Sequence, residues 1–289
     1  MTWFILGLFA ALFNALKTFF TKKVSFSCDQ YTVAWASNLV MLPIVWIALF
    51  IDGIPAVNPL FWWLMALMLP FEIAVNLLFF RAIKDSELSL VFPFTAFLPL
   101  FVSFFAFFIL GEKLSPRLIF AVLLIALGAY CMRLEKFTMR EFFTPFKKLA
   151  GDKGISLVLI VTLIWGFLAP LGKMATLYSS ARFFPAVYFT LATICFTPIF
   201  LKKSKNGFSS IRKNFIGFVL VGLFYAGFLL CNWAAYSMQK AGLVNAVGAL
   251  AGVLTVVLAG TFFKESDFKK RLVATFIMFL GILLIKLWV

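Results

Sequence analysis

The chain has 289 residues, of which 64% are apolar, 19% aromatic and only 13% charged, and its mean hydropathy is +1.06. Soluble domains carry about 25% charged residues. This composition therefore excludes a soluble enzyme, a nucleic-acid-binding module and a disordered chain, despite a formal charge of +15. The absence of histidine removes His-ligated metal centres and Ser-His-Asp triads from consideration, and no cofactor or metal ion is expected.

Crossing a bilayer as a helix takes about 20 apolar residues. Ten stretches qualify: 2–21, 31–51, 60–80, 87–110, 116–134, 154–174, 182–201, 215–237, 242–263 and 270–288. They are long and apolar on every side, which favours helices over the ten-residue alternation of a barrel. The predicted fold class is an all-α polytopic membrane protein with ten transmembrane helices. The start, Met1-Thr2-Trp3, lacks a basic region, so a cleaved signal peptide is not expected. Cys28, Cys131, Cys195 and Cys231 show no C-x-x-C spacing, which points to free thiols.

Span 1 carries Asn14 and Lys17 and ends at Lys22-Lys23; span 3 carries Leu69-Pro70-Phe71-Glu72. Span 4 holds Pro93 and Pro99 and runs into Gly111-Glu112. Between spans 5 and 6, Lys136, Arg140, Lys147 and Lys148 interleave with Phe137, Phe142, Phe143 and Phe146. That pattern fits a basic amphipathic segment on the membrane surface, with a plain linker as the alternative. Span 6 contains Trp165-Gly166, Pro170 and Lys173, and span 8 contains Tyr225, Asn232 and Trp233. Span 9 carries Gly248 and Gly252 and ends near Glu265. Counted with their flanking residues, connections after the odd-numbered spans hold 19 Lys and Arg, and the opposite face holds 6. By the positive-inside rule both termini lie outside.

The two halves are related by a shift of 153 residues, which superimposes Phe71 on Phe224, Glu112 on Glu265 and Gly128 on Gly281. Each half holds five spans, an odd number, so the second half enters the membrane inverted. This five-plus-five inverted-topology repeat divides the chain into 1–136, a linker 137–153 and 154–289. Inverted repeats place solute sites near the midplane, beside interrupted helices. Pro93 and Pro99 in span 4, with Gly248 and Gly252 at the matching part of span 9, mark candidate broken-helix or gating positions. Close packing through the Gly248–Gly252 pair is the structural alternative.

Leu110-Gly111-Glu112-Lys113-Leu114-Ser115 is similar to the end of span 4 in the EamA-type transporters of the drug/metabolite transporter (DMT) superfamily. Gly128 matches that family's span-5 glycine, and Trp165-Gly166 with Lys173 resembles its W-G…K pattern. The resemblance covers essentially the whole chain. Span 1 departs from it with Phe13-Asn14 in place of Trp-Gly, and span 9 with Phe263-Lys264-Glu265. It implies a membrane transporter with cytoplasmic termini, opposite to the charge count.

An ionisable side chain at the bilayer centre costs about 2.5–3.5 kcal/mol on insertion scales, so Glu72 needs a partner or a task. It is the candidate anchor for an amine-bearing solute or the acceptor of a coupling proton. The structural alternative is pairing with Lys17. Lys17 has two further readings: snorkelling toward Lys22 and Lys23, or binding an anionic group. Lys173, nearer its span end, is expected to snorkel. Glu112 and Glu265, at span ends, are expected to cap helices. Asn14, Trp35, Asn38, Asn76, Trp165, Tyr188, Tyr225, Asn232 and Trp233 are candidate lining groups, and Tyr225 occupies the repeat position of Glu72.

The expected function is secondary-active transport of a small organic metabolite, an amino acid or related solute, by alternating access. The alternatives are an exchanger of phosphorylated metabolites or nucleotide sugars, and a non-transporting membrane scaffold. No enzymatic activity is expected, since Glu72 has no second midplane carboxylate. The expected partners are the solute, a coupling proton and the lipid bilayer, with no nucleic acid. The oligomeric state is left open. A short chain without targeting extensions points to a prokaryotic plasma membrane.

Overall fold

The computed structural model describes residues 1–85, 92–113, 115–131, 138–148, 153–204, 207–251, 254, 258, 276–281, 283–285 and 287. These residues are helical with short connections. In chain order the helices are α1 (Thr2–Ser25), α2 (Gln30–Asp52), α3 (Leu60–Asp85), a 3-10 turn (Phe92–Phe97), α4 (Leu98–Leu110), α5 (Pro116–Cys131) and α6 (Met139–Lys148). There follow α7 (Lys153–Leu177), α8 (Phe183–Lys203), α9 (Gly207–Lys213), α10 (Phe215–Met238) and α11 (Ala241–Gly248), and then a short apolar helix α12 (Phe276–Ile285). Thr2–Ser25, Gln30–Asp52, Ser156–Leu177, Phe183–Lys203 and Phe215–Met238 are long and apolar enough to cross a membrane. Leu60–Val75, Thr95–Leu110, Pro116–Gly128 and Phe276–Ile285 are shorter apolar helices. Most of expected span 9 beyond Ala251 lies outside the described residues.

Local chemistry sets several boundaries. Asp29 caps α2, its Oδ1 accepting the N–H groups of Tyr31 and Thr32 at 3.0 Å each. Gly53 then ends α2 at φ 84. Span 4 divides where its prolines predict an interruption, into the 3-10 turn and α4. Pro99 falls in the first turn of α4, where a missing N–H costs nothing. Pro43, Pro70, Pro170 and Pro198 instead lie inside long helices, as membrane helices tolerate. The linker forms α6, whose Phe142 carbonyl accepts the Tyr130 hydroxyl at 2.7 Å.

The chain forms two compact units: Met1–Ile73 with Gly172–Met238, and Ala74–Leu171 with Gln239–Val289. Each unit draws on both halves of the sequence. Helices α3 and α7 run from one unit into the other.

In the first unit α1 packs along α10, and α2 packs against both α8 and α10. Lipid tails are as apolar as leucine, so helix association in a bilayer depends on close packing by small residues. Ala10, Ala11, Ala15 and Ala36 are accordingly at most 1% exposed. A Cβ added to Gly222 of α10 would come within 2.5 Å of Val40 Cγ1 and 3.0 Å of the Val40 backbone carbon. Between α2 and α8, Trp35 stacks on Phe200 at 4.3 Å and donates Nε1–H to Thr197 Oγ1 at 2.9 Å. Trp46 repeats that bond with Thr190 at 3.0 Å. Trp35, a lining candidate from sequence, therefore fastens two helices together. At one end of α2, Asp52 pairs with Arg182.

In the second unit α4 packs against α5 and α11, and the 3-10 turn rests on α5. Small residues again set the approach. A Cβ on Gly166 would meet Phe101 Cβ at 2.5 Å, and one on Gly281 would meet Ile125 Cγ1 at 2.6 Å.

Candidate functional site

The first unit gathers two opposite charges around an aromatic surface. Glu72 sits in α3, just after the internal Pro70. Its Oε2 accepts the hydroxyl of Tyr188 on α8 at 2.9 Å. Lys17 of α1 places Nζ 4.5 Å from the ring centroid of Tyr225 and 5.5 Å from that of Phe228, both on α10. Such cation–π contacts are worth about 0.5–2 kcal/mol. They also explain why Lys17 does not extend toward Lys22 and Lys23, the snorkelling geometry expected from sequence. Tyr225 connects the two charges, since its phenol lies within electrostatic range of both Glu72 and Tyr188.

The rings form a continuous surface. Phe189 meets Tyr225 edge-on at 5.7 Å and Tyr188 at 5.2 Å. Tyr188 stacks with Phe184 at 5.3 Å, and Phe184 meets Trp233 edge-on at 4.6 Å. Trp233 is buried, and its Nε1 has no hydrogen-bond partner among the described residues. A buried unpaired donor costs about 1–3 kcal/mol, and this N–H is free to donate to an acceptor brought to it. Gly172 makes room for that indole, because a Cβ there would meet Trp233 Cη2 at 2.5 Å.

Comparison with known proteins identifies the chain's relatives. The sequence model of the EamA-like transporter family matches residues 1–134 and again residues 152–287. The chain belongs to the EamA-like transporter family. It is accordingly a membrane transporter of the DMT type. A crystal structure described as "Crystal structure of protein" shares the fold, with a TM-score of 0.73 at 14% identity. The match covers 98% of this chain and 96% of that one. A search of curated protein sequences finds no match.

In this EamA-like protein the Leu-Gly-Glu motif at the end of span 4 has a clear local role. Gly111 turns the chain out of α4 at φ 66, in the left-handed region that glycine adopts without strain. Its N–H and that of Glu112 both close back on the Ala106 carbonyl. The turn sends the Glu112 carboxylate to the start of α11, where Oε2 accepts the Ala241 N–H at 2.7 Å. Lys240 Nζ returns a bond to the Lys113 carbonyl at 2.5 Å. A carboxylate suits this position, since the first N–H groups of a helix lack partners and its N-terminus is electropositive. Glu265, the repeat counterpart, lies outside the described residues.

The remaining candidates divide by unit. Asn14 precedes Lys17 by three residues on α1, and its carbonyl accepts Thr18 Oγ1 at 2.7 Å. Asn232 shares a face of α10 with Tyr225 and Phe228, by their i, i+3, i+7 spacing. Asn76 and Trp165 belong to the second unit, and the Asn76 side chain lies outside the described residues. So do the Pro93 side chain and Gly252. Pro99 is buried, and its carbonyl accepts Ser103 Oγ at 2.7 Å. Helix α11 ends at Gly248, where an added Cβ would meet nothing within 4 Å. Lys173 is only 8% exposed, which corrects the snorkelling expected from its place near a span end. Tyr188 carries no charge in its run of apolar neighbours, so a single sequence could mark it only as one polar group among several.

Proposed function

We propose that this EamA-like protein is a secondary-active transporter that moves a small organic solute, an amino acid or related compound, by alternating access. Ten spans in a five-plus-five inverted repeat carry the motion, with halves 1–136 and 154–289 joined by the linker 137–153. The two separate family matches, residues 1–134 and 152–287, support that division. Interruptions in spans 4 and 9, at Pro93, Pro99, Gly248 and Gly252, serve as the points about which access changes. The protein works in a prokaryotic plasma membrane.

The observation that carries the solute assignment is the pairing of Tyr188 with Glu72 beside Lys17 on its tyrosine face. A carboxylate and an ammonium at either side of an aromatic wall match a solute bearing both an amine and an acid group. Glu72 binds the amine or takes the coupling proton, and Lys17 attracts the acid. Tyr225 and Phe228 pack against the solute's apolar part. The unpaired Trp233 N–H and the amides Asn14 and Asn232 add directional contacts.

A thermal-stability screen of the purified protein against amino acids, polyamines, quaternary amines, sugars and phosphate esters tests this reading. Stabilisation by amino acids in the wild type, absent in Glu72→Gln, is the expected result. Stabilisation by phosphate esters alone would transfer the protein to the exchanger class and contradict the Glu72 assignment.

A further inference from the structure

The end of the first unit farthest along α1 is crowded with positive charge. Lys22 and Lys23 close α1, Lys202 and Lys203 close α8, and Arg212 and Lys213 close α9. These segments meet physically. Thr32 Oγ1 and Ser204 Oγ are 2.7 Å apart, and Ser27 Oγ donates to Asn214 Oδ1 at 3.1 Å. The first unit contains three acidic residues by sequence, Asp29, Asp52 and Glu72, and of these Asp29 lies at this end. Its carboxylate already accepts Tyr31 N–H, Thr32 N–H, Thr32 Oγ1 and Ser204 Oγ. It is occupied as a structural cap rather than offered as counter-ion to the basic groups.

Within this end lies a pocket of about 520 Å³. Lys23, Arg212 and Lys213 form one part of its wall, and Phe20, Ile216 and Leu220 another. The division is amphipathic: the charges stand at helix ends, and the apolar groups continue along α1 and α10. Ile216 is 75% exposed and opens the apolar wall outward.

We propose that this pocket binds the headgroup of an anionic phospholipid, with Lys23, Arg212 and Lys213 on the phosphate and an acyl chain along Phe20, Ile216 and Leu220. Charge complementarity selects an anion, and the apolar wall selects one with a hydrocarbon tail. Basic pockets between membrane helices take anionic headgroups for this physical reason. Neither Glu72 nor Lys17 lines this pocket, and the site does not depend on the transport assignment.

Native mass spectrometry of the full chain in detergent, titrated with phosphatidylglycerol or phosphatidylcholine, tests the site. Each basic group near an anionic membrane surface is worth about fivefold in affinity. The double variant Arg212→Gln/Lys213→Gln should therefore bind phosphatidylglycerol about thirtyfold more weakly while leaving phosphatidylcholine binding unchanged. A second variant, Lys202→Gln/Lys203→Gln, keeps the pocket wall intact and should lose much less. Equal losses in the two variants would mean that total surface charge, not this pocket, recruits the lipid. No preference for phosphatidylglycerol over phosphatidylcholine in the wild type would also overturn the proposal. Displacement of the lipid by millimolar inorganic phosphate or glycerol phosphate would show a soluble-anion site and would overturn it as well.

Discussion

Tyr188→Phe isolates the contact on which the site depends. The substitution keeps the ring, and with it the 5.3 Å stack on Phe184 and the 5.2 Å edge contact with Phe189. It removes only the hydroxyl that donates to Glu72 at 2.9 Å. Hydrogen bonds between membrane helices average about 0.6 kcal/mol in double-mutant cycles. A charged acceptor roughly doubles the strength of such a bond. The coupling between Tyr188 and Glu72 should therefore be about 1–1.5 kcal/mol, or about tenfold in the unfolding constant. Equilibrium unfolding of wild type, Tyr188→Phe, Glu72→Gln and the double variant in mixed micelles measures it directly. Additive effects, with coupling under about 0.3 kcal/mol, would show that the pair carries no energy and would refute the reasoning.

Three further outcomes follow from other contacts. Glu112→Ala strips the carboxylate from the Ala241 N–H. It should cost about 1 kcal/mol, as a lost helix cap does, and hydrogen exchange should accelerate at the first amides of α11 but not at α10; unchanged exchange at Ala241 would count against the cap. Burial opposes ionisation of Asp29, but the bonds from Thr32, Ser204 and Tyr31 outweigh it and hold the carboxyl below its ordinary range. The folded state then gains stability above pH of about 4 and loses it as pH falls through the folded value. Asp29→Asn should lower stability at neutral pH and flatten the acid limb of an unfolding-versus-pH curve, and an unaltered acid limb would remove Asp29 from that account. Gly222→Ala forces a methyl group to 2.5 Å from Val40 and should destabilise by about 1–3 kcal/mol, as overpacking does. A neutral result in a denaturation curve would mean that α2 and α10 separate without cost.

Much of the fold is legible in one sequence because its main signals are local. Apolar runs of helix length coincide with the five described helices long enough to cross a membrane, and Pro93 with Pro99 announces the division of span 4. Helix ends follow equally local chemistry at Asp29, Gly53 and Gly111. The short helix α9 escapes notice because GFSSIRK carries no apolar period.

The site is less legible because its contacts join residues far apart in the chain. Glu72 stands out by charge alone, but Tyr188 is 116 positions away. Lys17 looks from sequence like a side chain reaching for the interface, since nothing local reveals that Tyr225 lies beneath it. Trp35 illustrates the opposite error. An indole in a span suggests a solute wall, and only the Thr197 bond and the Phe200 stack reveal its structural task. Glu72 and Tyr225, which the expected repeat offset matches, both belong to the first unit.

The central claim is that Glu72 handles the transported solute, and the direct measurement is uptake of labelled amino acids into proteoliposomes containing wild type or Glu72→Gln, across a range of pH. Wild-type protein should take up solute against its gradient when a proton gradient is imposed, and Glu72→Gln should lose that accumulation while retaining wild-type folding. Glu72→Gln that accumulates solute like wild type at every pH would contradict the account.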